Sequence, residues 1–164
     1  IPKSKSYANQ SLNEIRYMIG TGNINLSDDF EKMVNEIAQT FETNFGIKTN
    51  VYTASKKIEN LNKKAKTHLI RILQESLSNI SRHSNASQVE IKIIDGIDDF
   101  SFIICDNGKG FDVKEVEQKN KTDSVKHFGL GNIKKRVNII GGSVDFINKG
   151  GLTIAIKIKD SVYR

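Results

Sequence analysis

The sequence contains a single cysteine, Cys105, among its 164 residues. One cysteine excludes an internal disulfide and a metal site built from several cysteines. Cys105 ends the apolar run FSFIIC, which predicts a buried strand residue rather than a reactive thiol. The chain also lacks an apolar run of the roughly 20 residues that cross a bilayer, so we expect it to make no membrane contact.

Aromatic residues are scarce, at 7% of the chain, and none stands within the basic clusters. These clusters are Lys56-Lys57, Lys63-Lys64-Lys66 and Lys134-Lys135-Arg136, in a chain of net charge +6. A nucleic-acid binder would usually place aromatic side chains among such residues to stack on bases. We therefore predict no direct nucleic-acid contact. The basic residues are expected to form a solvated surface or, as a second choice, to attract phosphate or an acidic partner.

The chain begins with Ile1 rather than methionine, so we expect a piece of a longer protein. Its length suits one compact domain with its own core. A reducing, cytoplasmic setting is compatible with the single cysteine, whether or not that longer protein is anchored in a membrane.

Hydrophobic periodicity predicts helices and hairpins in a fixed order. Helices are predicted at 4–19, from a cap at Ser27 to Gly46, at 62–84 and up to residue 140, and strands at 47–53, 88–94, 99–105, 143–147 and 152–158. Residues 113–128 are polar and long for a connection, which indicates a mobile cover over a site. Hairpins beside segregated helices predict an α+β fold, a two-layer α/β sandwich whose mixed sheet carries the helices on one face.

The predicted helix LIRILQESLSNISRHSNA carries Glu75, Asn79 and His83 four residues apart, on one stripe beside an apolar stripe. An acid, an amide and an imidazole without obvious partners are typical of a site. The alternative is a solvated surface stripe.

Glycine-rich segments follow further along the chain. In DNGKG, Asp106 follows a buried strand, where an acid needs a partner, and Gly108 and Gly110 permit close approach to a ligand; a plain Asn-Gly hairpin turn is the alternative. Gly129 and Gly131 stand where a helix begins and could expose N–H groups to phosphate, or simply mark the helix boundary. This spacing is not the dinucleotide fingerprint, and the sequence contains no P-loop.

The ordered set of motifs is more specific than any single one. ILQESLSNISRHSNA, DNGKGFD, FGLGNIKKRV and a last strand with G-x-T resemble the Bergerat ATP-binding fold of gyrase B subunits, ninety-kilodalton heat-shock chaperones, MutL and histidine kinases. The sequences of these motifs are most similar to those of sensor histidine kinases of the branch paired with LuxR-type response regulators. SLNEIRYMI resembles the end of that branch's dimerisation helix. The resemblance implies such a remnant at 1–22 and a catalytic ATP-binding domain at 23–164.

The resemblance implies ATP and Mg²⁺ as cofactors. Asn79 matches the family's magnesium ligand, and Glu75 matches the acid one turn earlier, a catalytic residue that would orient magnesium-bound water or the attacking group. Arg82 stands where the family commonly has lysine, so its phosphate contact would differ in geometry. His83 would touch phosphate or cap the helix end.

The adenine side follows from the same resemblance. Asp106 matches the residue that accepts a hydrogen bond from the adenine amine, and Thr153 matches a threonine that helps to hold that side, although a lone strand threonine often reflects β-propensity alone. The remaining predicted nucleotide contacts are Gly108, Gly110, Gly129 and Gly131. Lys126 and His127 would reach phosphate or remain exposed in the lid.

The implied function is a protein-histidine kinase that presents ATP·Mg²⁺ to a histidine on its dimerisation domain, as a homodimer, and passes the phosphoryl group to a regulator aspartate. None of His68, His83 and His127 lies in an acceptor motif, so this chain alone should not autophosphorylate. Two alternatives remain open: an anti-sigma-type serine kinase on the same fold, and a non-catalytic ATP-dependent interaction module.

Overall fold

The computed structural model describes residues 29–110 and 128–162. The predicted helix at 4–19, the remnant at 1–22 and nearly all of the predicted lid lie outside these residues. Three α-helices are described: α1 (Phe30–Phe45), α2 (Lys63–Asn79) and α3 (Phe128–Ile139). The five strands are β1 (Lys48–Ala54), β2 (Gln88–Asp95), β3 (Asp99–Asp106), β4 (Ser143–Asn148) and β5 (Leu152–Lys159).

The ends of α1 have clear local causes. The helix begins after Asp29, whose Oδ1 accepts hydrogen bonds from the N–H groups of Glu31 and Lys32 at 3.0 and 3.4 Å. It ends at Gly46, which adopts a left-handed conformation with φ of 68°. The prediction of Gly46 is confirmed. The predicted cap at Ser27 was wrong by two residues, because Asp29 is the acid closest to the first apolar position of the helix.

The strands form one mixed sheet in the order β1-β2-β3-β5-β4. β1 and β2 pair in parallel, and the other neighbouring strands are antiparallel. A parallel pair requires a crossover, and α2 with the turns at its two ends supplies it. The crossover brings the C-terminal end of α2 to the start of β2, beside the end of β3.

The core lies between the helices and one face of the sheet. Alternate residues of β2, β3 and β5 are fully buried on that face, and they pack against the apolar stripes of the helices. Phe30 of α1 meets Phe102 of β3 edge to face, with 6.2 Å between the ring centroids. This arrangement confirms the predicted α+β sandwich. Among the described residues, no helix has the length and hydrophobicity that a membrane span requires.

Candidate functional site

Asp106 is the last residue of β3 and one of the few buried polar residues of the described chain. Its side chain is 3% exposed and lies on the core face of the sheet, as Ile104 does. Oδ1 accepts a hydrogen bond of 2.7 Å from the N–H of Gly108, and the N–H of Leu152 also donates to the carboxylate. Burial raises the pKa of Asp106, and these two hydrogen bonds act in the opposite direction.

The loop after Asp106 is fastened to the chain that follows α2. The N–H of Lys109 donates to the carbonyl of Ser84 at 2.8 Å. A Cβ added at Gly108 would lie 2.2 Å from that same carbonyl oxygen, so only glycine allows this approach. Because Ser84 ends the π-helical turn Ile80–Ser84 that continues α2, the loop sits directly at the end of this helix.

The turn between β4 and β5 forms the other side of this loop. A Cβ on Gly151 would lie 1.8 Å from the carbonyl oxygen of Asp106, and a Cβ on Gly110 would lie 1.8 Å from Oδ1 of Asn148. Gly110 also has a φ of 63°, which favours glycine. Sequence reasoning missed Gly151 as a contact of the site, although the Gly150-Gly151 pair was a visible signal.

A second group of predicted residues meets where α2 faces α3. A Cβ added to Gly129 would lie 2.7 Å from both Nδ2 of Asn79 and Oε1 of Glu75, and 3.1 Å from Oδ1 of Asn79. The first turn of α3 therefore rests on the acid and the amide of α2. Gly131 differs, because a Cβ there would meet no heavy atom within 4 Å.

Arg82 and His83 lie in the π-helical turn after Asn79, and both are exposed. The Arg82 guanidinium donates to the Ser78 hydroxyl. Lys126 and His127 lie outside the described residues.

The two groups belong to the same end of the molecule. Asn79 and Ser84 are five residues apart along one helical segment, a rise of about 7 Å. One group offers a buried carboxylate and the other offers an acid, an amide and a helix beginning. This arrangement suits an elongated ligand that has a hydrogen-bonding ring at one end and phosphate groups at the other.

The structure places Thr153 in neither group. It pairs with Cys105 across β3 and β5, and its hydroxyl lies 3.1 Å from the Cys105 sulfur. Successive strand residues point to opposite faces, so Thr153 faces away from Asp106. Leu152 takes the core-side position beside Asp106. The alternation of the last strand could have indicated this, because Leu152, Ile154 and Ile156 share one face.

Cys105 also departs from expectation. It is a strand residue as predicted, but it is half-buried on the face opposite the core rather than fully buried.

A sequence model of the histidine kinase-, DNA gyrase B- and HSP90-like ATPase family matches residues 64–162. The match runs from α2 through the last hairpin and covers more than half of the chain. The chain belongs to this family. The matched range includes the residues of both groups.

Bacterial sensor kinases resemble the chain in sequence. The signal transduction histidine-protein kinase/phosphatase DegS of Bacillus subtilis is 38% identical over 91 residues, which are 56% of this chain and 23% of DegS. The sensor histidine kinase LiaS of the same bacterium is 33% identical over 103 residues, which are 63% of this chain and 27% of LiaS. The chain thus spans about a quarter of the length of these curated relatives.

A solved structure supports the fold. The histidine kinase domain of the blue-light activated histidine kinase EL346 from Erythrobacter litoralis aligns with a TM-score of 0.61 at 15% identity. The alignment covers 91% of this chain and 70% of that one. At this identity the likeness establishes the architecture alone.

The donors present fit a nucleotide and a magnesium ion. Magnesium prefers oxygen ligands and keeps several waters, so it needs few protein groups besides phosphate. Asn79 supplies a carboxamide oxygen and Glu75 a carboxylate, and the ends of both side chains lie where a Cβ on Gly129 would push against them. Asp106 supplies a buried acceptor for a base amine.

Proposed function

We propose that the chain is the ATP-binding catalytic domain of a two-component sensor histidine kinase. It would present ATP·Mg²⁺ to a histidine of a dimerisation domain, from which the phosphoryl group passes to an aspartate of a response regulator. The observation that carries the proposal is the pairing of a buried carboxylate, Asp106, with the Glu75–Asn79–Gly129 group at one end of α2.

Asp106 would read the base. An ionised carboxylate only accepts hydrogen bonds, and two of its acceptor positions already serve Gly108 and Leu152. Adenine offers an exocyclic amine to an acceptor position that is still available, whereas guanine offers a carbonyl oxygen in the equivalent place. A buried acceptor left facing another acceptor is costly, so adenine is favoured.

Asn79 and Glu75 would hold the phosphate end. Bound magnesium neutralises charge on the phosphates. The Asn79 carboxamide would ligate the ion, and Glu75, one turn earlier, would orient water or the attacking imidazole. Arg82 and His83 stand at the exposed edge of this group and would contact phosphate oxygens. Alignment and charge neutralisation would supply most of the rate enhancement.

We further infer the setting from the relatives. The longer protein would dimerise through its own acceptor-bearing helices and work in the cytoplasm with a regulator that carries a LuxR-type DNA-binding domain. The support is the sequence similarity to DegS and LiaS together with the sequences of the motifs.

Phosphoryl transfer provides the test. The chain is incubated with γ-labelled ATP and Mg²⁺, alone and with the dimerisation segment of DegS as acceptor; Asn79→Ala is the matched control. We expect acid-labile label on the acceptor, none on the chain alone, and little transfer by the variant. Acid-stable label on serine would instead identify a serine kinase, and ATP binding without any transfer would identify an interaction module.

A further inference from the structure

Asn107 makes more side-chain hydrogen bonds than an exposed loop residue requires. Its Oδ1 accepts from the N–H groups of Ser87 and Gln88, at 2.9 Å each, and its Nδ2 donates to the Ser87 hydroxyl at 3.0 Å. Its own N–H donates to the carbonyl of Gln88 at 3.2 Å. None of these contacts involves the groups assigned above to the nucleotide.

These contacts join two segments that carry opposite ends of the site. Ser87 and Gln88 connect the helical segment bearing Asn79 to the start of β2, while Asn107 directly follows Asp106. Asn85, between them, is the only residue other than glycine with a positive φ among residues 29–110 and 128–162, at 54°. The chain therefore turns sharply after the helix, and the Asn107 side chain fixes where the turn lies.

Backbone contacts also join the two segments, through the pairing of β2 with β3 from Val89 and Asp106 onward and through Ser84. The Lys109 N–H donates to Ser84, and Gly108 packs on the same carbonyl group. Among the described residues, Asn107 is the one whose side chain hydrogen-bonds from the loop to the segment that follows the helix. A shift of this loop moves the Gly108 N–H, which is one of the two donors to Asp106.

We propose that Asn107 is a positioning residue for purine recognition. Without touching the nucleotide, it holds the Asp106 carboxylate and the Gly108 amide at a fixed place relative to the helix that carries Asn79. The inference rests on the proposed function. Because the Asn107 side chain is exposed, water can replace its hydrogen bonds, so its loss should displace the loop more than it destabilises the fold.

The test compares Asn107→Ala with Asn107→Asp, which retains the two acceptor contacts to backbone N–H groups and loses only the donation to Ser87. Asn62→Ala is the control, because Asn62 makes a similar 2.9 Å side-chain contact to the Ala65 N–H at the other end of α2. The readouts are ATP and GTP dissociation constants by calorimetry, and amide hydrogen exchange of Gly108 and Lys109 without nucleotide.

Asn107→Ala is expected to reduce the preference for ATP over GTP by about fivefold, the effect of losing one hydrogen bond, and to speed exchange at Gly108 and Lys109. Asn107→Asp should stay close to the wild type, and Asn62→Ala should leave the preference unchanged. A general loss of folded protein would weaken the binding of ATP and GTP equally and leave the ratio of their dissociation constants unchanged.

An unchanged ratio with unchanged exchange in Asn107→Ala would overturn the positioning role. Failure of the wild type to bind ATP would overturn the proposed function instead, and the exchange measurement would still decide whether Asn107 holds the loop.

Discussion

Burial of the ionised Asp106 carboxylate suits ligand binding but reduces the stability of the fold. A carboxylate that is 3% exposed loses most of its hydration, and this loss raises its pKa. Two backbone N–H groups compensate only in part. In the folded protein the group therefore binds a proton at a higher pH than in the unfolded chain, so keeping it ionised at neutral pH reduces stability.

Asp106→Asn is expected to unfold at an equal or higher urea concentration than the wild type at pH 7. Asparagine can still accept from Gly108 through its carbonyl oxygen but carries no charge to desolvate. As the pH falls through the raised pKa, the wild type should gain stability relative to the variant. Urea unfolding at pH 7 and pH 5 measures both effects. A variant less stable than the wild type by more than about 2 kcal/mol at pH 7 would contradict this account.

The sequence was informative at Asp106 because a buried acid after a strand requires a partner, and glycines after it permit close approach. At Thr153 the motif did not indicate which face of the strand the side chain occupies. The Gly150-Gly151 pair indicated a tight turn, but the residues that Gly151 and Asn107 contact could not be predicted. They depend on which distant segments meet, namely the end of α2 and the β4–β5 turn.

At the scale of elements, the first turn of α3 is defined by two glycines with different surroundings. A methyl group at Gly129 would push against the ends of the Glu75 and Asn79 side chains, which can move, while Gly131 faces open space. The two positions are two residues apart in the same helical turn, so a substitution at Gly131 is a matched control for one at Gly129.

Gly129→Ala is expected to fold normally and to lose at least about tenfold in affinity for ATP·Mg²⁺, because it would displace the side chains that we propose as metal ligands. Gly131→Ala should bind as the wild type does and gain up to about 1 kcal/mol of stability from the helix preference for alanine. Calorimetric titration and urea unfolding measure the two properties. Equal affinities in both variants would remove Gly129 from the site.

The contact between α2 and α3 also contains a pH-sensitive residue. Burial, followed by the charges of Arg136 on α3 and Lys64 on α2, lowers the pKa of His68. Its Nδ1 is buried and has no hydrogen-bond partner within 29–110 and 128–162. The folded state thus holds His68 neutral where the unfolded chain, with a pKa near 6.5, accepts a proton. Stability should therefore fall as the pH drops through about 6.5.

His68→Gln is expected to flatten the dependence of unfolding free energy on pH between 7.5 and 5.5, since glutamine does not titrate. Arg136→Gln, which removes one neighbouring cation, should flatten it in part. Urea denaturation across this range provides the measurement. A pH dependence identical in all three proteins would show that another group is responsible.

At the scale of the whole molecule, Lys57 joins segments that are far apart in sequence. Its ammonium group donates to the carbonyls of Gly96, Ile97 and Asp99 at 2.9, 2.9 and 3.2 Å, and forms an ion pair of 2.8 Å with Asp160. This cluster lies at the start of β3, whereas Asp106 lies at its end, seven residues or about 24 Å away.

Lys57→Met should cost about 1–3 kcal/mol in unfolding free energy, because three carbonyl groups and a carboxylate lose a charged donor. ATP affinity should not change, given the distance. Lys56→Met is the control, since the Lys56 side chain is exposed and its ammonium group makes no hydrogen bond or ion pair with the described residues. A stability change equal to that of the control would contradict the structural role of Lys57.

The sequence predicted the order of elements well, because strand alternation and helix stripes are local patterns. It did not predict the sheet order, in which β5 lies between β3 and β4, or the parallel pairing of β1 with β2. These features depend on non-local pairing and on the path of the crossover through α2. Hydrophobic periodicity is a local pattern and carries no information about either.

The central claim is that Asp106 and Asn79 bind two ends of one nucleotide. Calorimetric titration of ATP and GTP, with and without Mg²⁺, on the wild type, Asp106→Asn and Asn79→Ala tests it most directly. We expect Asp106→Asn to weaken ATP binding at least about tenfold and to reduce the preference for ATP over GTP. Asn79→Ala should remove only the effect of Mg²⁺ on nucleotide affinity. Equal wild-type affinity for ATP and GTP, or a magnesium effect that survives in Asn79→Ala, would contradict the account.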